Sequence, residues 1–126
     1  MTPVELKVQK QLVQVFESLK KELKLITSEV HRLGWRQRNA LISHVYSDYT
    51  MHEELNDARM KWGKKVVAQN VHQWLFDQMV KQRDIFGYFQ DYPELKNRIE
   101  IVRAAAIRKE EFEIAEILIK WQNRLP

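Results

Sequence analysis

The chain has no cysteine and little glycine or proline, and each shortage excludes a class of structure. Without cysteine there is no disulfide framework, no thiolate zinc site and no cysteine nucleophile. Three glycines and three prolines in 126 residues leave few positions that break a helix, so long helices are expected. No run of about 18 apolar residues is present, so we expect no membrane-spanning segment.

Charge is distributed through the chain with a mild basic excess. The first ten residues, MTPVELKVQK, place charges where a signal peptide would carry its apolar region, so we expect no secretion and a cytoplasmic location. The formal net charge is +4, but 17 acidic residues lie among the 21 basic ones. This excess favours an anionic partner by electrostatic steering, and it permits nucleic-acid binding without requiring it.

The pattern of apolar residues predicts a single helical domain over residues 1–126. The expected fold class is all-α: a bundle of four to five long, mostly antiparallel helices with a long amphipathic helix at the N-terminus. Thr2 and Glu5 have the spacing of a capping box, and Pro3 suits the first helical position. Gly34 predicts the end of this helix, with Trp35 placed to close the cap.

The later elements follow from breakers and periodicity. Thr50 and Glu53 repeat the capping-box spacing and predict a new helix near Met51, although a continuous helix also fits. A long helix then runs to about Arg83, with Gly63 predicting a bend or a close crossing. The stretch DIFGYFQDYPE predicts an aromatic turn, after which Pro93 is expected as an early residue of the last helical region. The last region is either a helical hairpin with a turn near residues 108–111 or one helix buried on several sides.

An apolar seam in the first helix repeats at alternating steps of four and three. Its members are Leu12, Phe16, Leu19, Leu23, Ile26, Val30 and Leu33. Valines widen the first half of this stripe, which favours burial in a multi-helix core, whereas charged flanks narrow the second half. We therefore predict a bundle helix whose second half is available for self-association or for another protein. The candidate protein-interface residues are Leu23, Ile26, Val30 and Leu33, with Tyr88 and Tyr92 from the aromatic turn.

Two clusters combine basic residues with a tryptophan: HRLGWRQRN and RMKWGKK. Basic side chains beside an aromatic ring can hold phosphates while the ring stacks on a base. The candidate nucleic-acid-binding residues are Trp35, Arg36, Arg38, Lys61, Lys64 and Lys65. The alternative interpretation places the tryptophans in the core and leaves the charges on a solvated face.

Catalytic and metal chemistry have little support in the sequence. There is no glycine-rich phosphate loop and no nucleophile-elbow pattern. His44, Asp48 and His52 are spaced four apart, but the row spans roughly 12 Å of an uninterrupted helix, too far for one ion. We therefore predict that the protein is not an enzyme and that it has no metal site and no cofactor.

The function predicted from these features is a non-enzymatic protein–protein interaction module. It would be a small adaptor, inhibitor or assembly subunit that acts through helix faces, with self-association as one form of that binding. The expected partner is another protein of acidic character, and no membrane partner is expected. The alternative is a nucleic-acid-binding subunit that contacts the phosphate backbone through the basic and aromatic clusters.

Overall fold

The computed structural model describes residues 2–126, and helices account for most of them. Helix α1 spans Pro3–Tyr46, α2 spans His52–Gln82, α3 spans Tyr92–Arg108 and α4 spans Phe112–Gln122. The all-α prediction is confirmed, with four helices in this part of the chain. Over the same residues, none of the helices contains an apolar stretch long enough to cross a membrane.

The predicted capping box holds the start of α1. The Glu5 amide donates to the Thr2 hydroxyl at 3.1 Å, and the Thr2 amide donates to the Glu5 carboxylate at 3.2 Å. Pro3 lies in the first turn, where an N–H would have no helical partner in any case. The predicted beginning of the first helix is therefore confirmed.

The predicted end of α1 at Gly34 is wrong, because the helix continues through Gly34 to Tyr46. The indole Nε1 of Trp62 lies 3.4 Å from the position that a β-carbon on Gly34 would take. Glycine inside a helix costs about 1 kcal/mol relative to alanine, and packing against α2 offsets this cost. The missing side chain thus leaves room for a tryptophan from the next helix and does not make a left-handed cap.

The chain reverses between α1 and α2, so the predicted break near Thr50 is confirmed. Asp48 and Tyr49 have φ angles of 61° and 63°, a left-handed conformation that residues other than glycine adopt infrequently. The Thr50 hydroxyl donates to the Ser47 carbonyl at 3.0 Å and leaves the first turn of α2 uncapped. The predicted capping box of Thr50 with Glu53 is therefore wrong.

Helices α1 and α2 contact each other along most of their shared length. The Gln69 side-chain amide donates to the Thr27 hydroxyl at 3.3 Å, and the His44 and His52 ring centroids lie 4.3 Å apart nearer the turn. From one contact to the next, the residue number therefore rises in α1 and falls in α2. We call α1 residues 31–46 together with α2 residues 52–65 the hairpin arm.

The main hydrophobic core lies away from the hairpin arm. Its buried members come from all four helices, the aromatic loop and the C-terminal segment: Leu12, Val15, Phe16, Leu19, Val71, Leu75, Met79, Phe89, Leu95, Ile99, Leu118, Trp121 and Leu125. This cluster uses α1 only up to Leu19 and α2 only from Val71. The arm therefore extends beyond the main core.

The last two helices form the predicted helical hairpin. Helix α3 ends at Arg108, α4 begins at Phe112, and Glu110 between them has a φ of 60°. The alternative of one continuous helix is therefore excluded. Asp91 caps the start of α3 and Pro93 lies in its first turn, as the sequence predicted for the residue after the aromatic turn.

Replacing Gly63 with alanine is expected to raise the free energy of unfolding by about 1 kcal/mol. Gly63 lies inside α2, and an added β-carbon would meet nothing within 4 Å, so no neighbour makes the predicted close crossing there. Urea denaturation of both proteins measures the change. Gly87→Ala is the control of opposite sign, because Gly87 has a φ of +84° and alanine would be strained there. A loss of stability in Gly63→Ala would contradict the prediction.

Candidate functional site

The two predicted basic clusters lie level with each other on the hairpin arm. They meet because Trp62 packs over Gly34, the residue next to Trp35. Of the candidate residues, those exposed to solvent are Trp35, Arg36, Arg38, Lys61 and Lys64, and Lys65 is half-buried. Segments that are separate in the sequence therefore share one region of the surface.

The lysines and the arginines of this region differ in their ion pairs. Lys61 Nζ lies 3.0 Å from the Asp57 carboxylate, and Lys64 Nζ lies 3.9 Å from the Glu113 carboxylate. Within residues 2–126, neither Arg36 nor Arg38 forms an ion pair. The two arginines therefore keep their charge available for an external group.

Helix α1 carries the whole charge excess of the protein. It contains eight lysines and arginines and four glutamates, a formal charge of +4 that equals that of the chain. No acidic residue lies between Glu29 and Asp48. Arg32 lowers the pKa of Glu29, first by a side-chain hydrogen bond and then by its charge. The arm segment of α1 is thus a source of positive potential.

The face of α1 turned away from α2 exposes large apolar side chains. Trp35 is 64% exposed, Ile42 66% and Tyr46 93%. Their spacings of seven and four residues place them in one row on a helix, whereas Gly34 and His44 contact α2 from the other side. We call Trp35, Ile42 and Tyr46 the outer stripe. Sequence reasoning missed Ile42 and Tyr46 as candidates, although the same spacings were present in the sequence.

The second half of the predicted seam turns inward. Ile26 and Leu33 are buried within the chain, while Leu23 and Val30 are half-buried. Burial removes Ile26 and Leu33 from the surface on which an intermolecular contact would form. Leu23 and Val30 keep some surface, so self-association through them stays a prediction.

The aromatic loop between α2 and α3 is held at several points. The Asp84 carboxylate accepts hydrogen bonds from the amides of Phe86 and Tyr88, both at 2.9 Å. From α1, the Gln9 side chain donates to the Phe89 carbonyl and accepts from the Phe89 amide, both at 2.8 Å. Phe89 is buried in the core, whereas Phe86 is exposed. The loop is thus fixed to α1 while one of its rings faces solvent.

The two tyrosines predicted as interface residues in this region differ in exposure. Tyr88 is exposed, whereas Tyr92 is half-buried against the core. An open groove of about 390 Å³ runs beside the loop, and its lining includes Leu6, Phe86 and Tyr88. Tyr88 and Phe86 are therefore the rings that can reach a partner here.

The helical row of His44, Asp48 and His52 does not form, because α1 ends before Asp48. His44 is buried, and its Nδ1 accepts a hydrogen bond from the Met51 amide at 3.0 Å. Within the described residues, no group of three histidine, aspartate or glutamate side chains is placed to hold a metal ion. The histidines at the turn therefore have a structural explanation: His44 accepts the amide that opens α2.

Comparison with protein-family models, with curated proteins and with solved structures finds no match for this chain. Three features distinguish its surface: the outer stripe, the adjacent Arg36 and Arg38, and the exposed rings of the aromatic loop. Neither arginine has an ion-pair partner among residues 2–126.

Proposed function

We propose that the protein is a non-enzymatic interaction module that binds another protein through the outer face of an antiparallel α1–α2 hairpin. The observation that carries this proposal is the exposure of Trp35, Ile42 and Tyr46 in one row. Tryptophan, tyrosine and arginine are the residue types enriched in interface hot spots. The outer stripe supplies two of these types, and Arg36 and Arg38 supply the third.

The mechanism of this binding is shape recognition by a surface that is already ordered. Residues on a packed helix lose little backbone freedom on binding, because the helix is already formed before the partner arrives. The charge excess on α1 attracts an acidic partner and speeds encounter. The outer stripe then supplies the apolar area that holds the complex together.

The aromatic loop offers a second contact surface far from the first. Gln9 marks the loop end of α1, and Ile42 lies in the outer stripe. At 1.5 Å per residue, these two positions are about 50 Å apart along the helix. Two exposed apolar surfaces at this separation suit an adaptor or assembly subunit that joins two partners.

Nucleic-acid binding is the second candidate function. It is favoured by one observation, the contact of Trp62 with Gly34, which brings both basic clusters to one region. Arg36 and Arg38 can hold phosphates there while Trp35 stacks on a base. Such binding weakens steeply as salt rises, because condensed counterions are released.

Photo-crosslinking in the native host separates these functions. A benzophenone amino acid replaces Ile42 in the outer stripe, Phe86 in the aromatic loop, or Ile101, an exposed residue on α3 that serves as control. We expect covalent adducts at position 42 or 86, above the level at 101, that protease removes and nuclease does not. Mass spectrometry then identifies the partner and the crosslinked segment.

Two results would contradict the proposed function. Adducts that nuclease removes would establish the second candidate. Adducts no more abundant at positions 42 and 86 than at 101 would show that neither surface is occupied by a protein.

A further inference from the structure

We infer that the outer stripe of α1 is a docking site for an acidic amphipathic helix of a partner protein. This inference rests on the proposed function and specifies the chemistry of the partner. Its basis is the combination of an apolar row with flanks that carry positive charge only. Trp35, Ile42 and Tyr46 form the row, and Arg36 and Arg38 lie beside it.

The geometry of the row fits another helix. From Trp35 to Tyr46 is eleven positions, or about 16 Å along the helix axis, which is three turns. A partner helix of similar length would place its own residues at i, i+3 or i+4, and i+7 against this row. Apolar anchors at those spacings are the pattern by which helices recognise helices.

The charges beside the row select the partner. Arg36 follows Trp35 by one position, which turns it about 100° round the helix, while Arg38 follows by three and lies on the other flank. Both guanidinium groups are without an ion pair in the described residues, and no acidic residue lies between Glu29 and Asp48. Glutamate or aspartate on both sides of the partner's apolar row would meet these arginines.

The same charges argue against a second copy of the chain as the occupant. A two-fold dimer through the outer stripe would bring α1 against α1, and the segment from His31 to Tyr46 carries only basic charges. Acidic residues at this level, such as Glu53 and Asp57, belong to α2. They cannot neutralise arginines on the face of α1 that points away from α2.

The row also extends beyond what a nucleic acid would use. Trp35 could stack on a base near the arginines, but Ile42 and Tyr46 lie about two and three turns further toward the end of α1. Phosphates would leave the apolar surface of Ile42 in contact with charge and water, without a gain from its burial. An apolar row on a partner helix would bury all three side chains of the outer stripe and gain free energy from each.

The test uses two designed helical peptides as probes with the full chain. Both have leucine at i, i+3, i+4 and i+7; one has glutamate on its flanks and the other has lysine. Fluorescence anisotropy at 150 mM salt, as a roughly physiological condition, measures their affinities for the wild type, Ile42→Glu and Ile101→Glu. The two variants make the same charge change at exposed isoleucines, on α1 and on α3. Circular dichroism confirms that both remain folded.

We expect the glutamate peptide to bind the wild type about tenfold or more tightly than the lysine peptide. Ile42→Glu is expected to weaken that binding by about tenfold or more, the size of a hot-spot effect. Ile101→Glu should change it by less than about twofold, because general charge repulsion is screened at this salt concentration. This pattern supports the docking site.

Other patterns overturn the inference. These are no binding of the glutamate peptide, binding that is equal for both peptides, or binding that Ile42→Glu leaves unchanged. A wild-type dimer that Ile42→Glu dissociates in analytical ultracentrifugation would make a second copy the occupant. Displacement of the peptide by an equal concentration of single-stranded DNA would assign the site to nucleic acid. In each case protein adducts in the crosslinking experiment would still support the proposed function, so the two failures are distinguishable.

Discussion

Leu118→Ala is expected to lower the free energy of unfolding by about 2–5 kcal/mol. Leu118 lies on α4, its exposed fraction is 0%, and it belongs to the main core cluster. The substitution loses the transfer free energy of the removed carbons and leaves a cavity that the surrounding side chains fill only in part. Because domains of ordinary size are stable by only about 5–15 kcal/mol, this is a large fraction of the total.

Ile119→Ala is the matched control for this prediction. Ile119 is the next residue on the same helix, it is 36% exposed, and its change to alanine removes the same number of carbons. We expect a smaller loss, of about 1 kcal/mol, because less buried area is removed and because alanine favours a helix more than isoleucine does. Urea denaturation of the three proteins gives both values. Equal losses for the two variants would mean that α4 does not pack with Leu118 toward the core.

The sequence predicted a helix end correctly where the signal acts within one turn of that end. The capping box at Thr2 and Glu5 and the proline at position 93 act within one turn of the residue itself, and both features appear as expected. Gly34 shows the limit of such signals, since glycine after a periodic segment usually ends a helix. Here its role depends on Trp62, which reaches it only after α2 has folded back.

For a related reason, the sequence could not predict whether the apolar seam packs against its own chain or against another protein. Steps of four and three indicate that Ile26 and Leu33 need a partner helix, but they do not say whether that helix comes from the same chain. The answer depends on the turn after Tyr46, where Asp48 and Tyr49 adopt the left-handed conformation that glycine ordinarily marks in a sequence. No glycine or proline marks this turn.

Only part of the candidate site could be predicted from the sequence. Trp35, Arg36 and Arg38 stand out by composition, and the structure places all three on the surface. Ile42 and Tyr46 do not stand out, because apolar residues in a helix are expected to face a core. Only the position of α2 on the other side of α1 shows that this pair is left in solvent.

Contacts between distant residues were beyond the reach of sequence patterns, and the buried pair of His72 and Trp121 is the clearest case. The Trp121 indole N–H donates to His72 Nε2 at 3.0 Å, across 49 positions of sequence. The other ring nitrogen, Nδ1, lies 2.6 Å from the Ala68 carbonyl. An imidazole with one accepting and one donating nitrogen is neutral, with its proton on Nδ1. If Nε2 were protonated, its N–H would face the indole N–H of Trp121, and the hydrogen bond between the two rings would be lost.

The surroundings of His72 lower its pKa below the ordinary value of 6.5. Burial is the largest cause, because it disfavours the charged ring. The hydrogen bond to the Ala68 carbonyl and the charge of Glu22 act in the opposite direction, while Lys120 and Lys65 reinforce the lowering. The folded protein therefore binds a proton at this site less readily than the unfolded chain does.

Acidification below pH 6.5 is accordingly expected to destabilise the wild type more than His72→Gln. Above 6.5 both states of the wild type hold the ring neutral, and the contribution of His72 is complete. As the pH falls below 6.5, the unfolded chain takes up the proton first, so the free energy of unfolding decreases. One such group contributes a slope of at most about 1.4 kcal/mol per pH unit. The slope ends once the pH is below the lowered pKa of the folded state.

His72→Gln isolates this contribution because glutamine does not titrate and its side-chain oxygen can still accept the hydrogen bond from Trp121. Urea denaturation of both proteins at a series of pH values from 7.5 to 5 gives the two stability profiles. His31, His44 and His52 are present in both proteins, so their contributions to the stability profiles cancel in the difference. We expect the wild type to lose stability relative to the variant as the pH falls. Parallel profiles would mean that His72 is as free to accept a proton in the folded state as in the unfolded chain, which its burial against Trp121 does not allow.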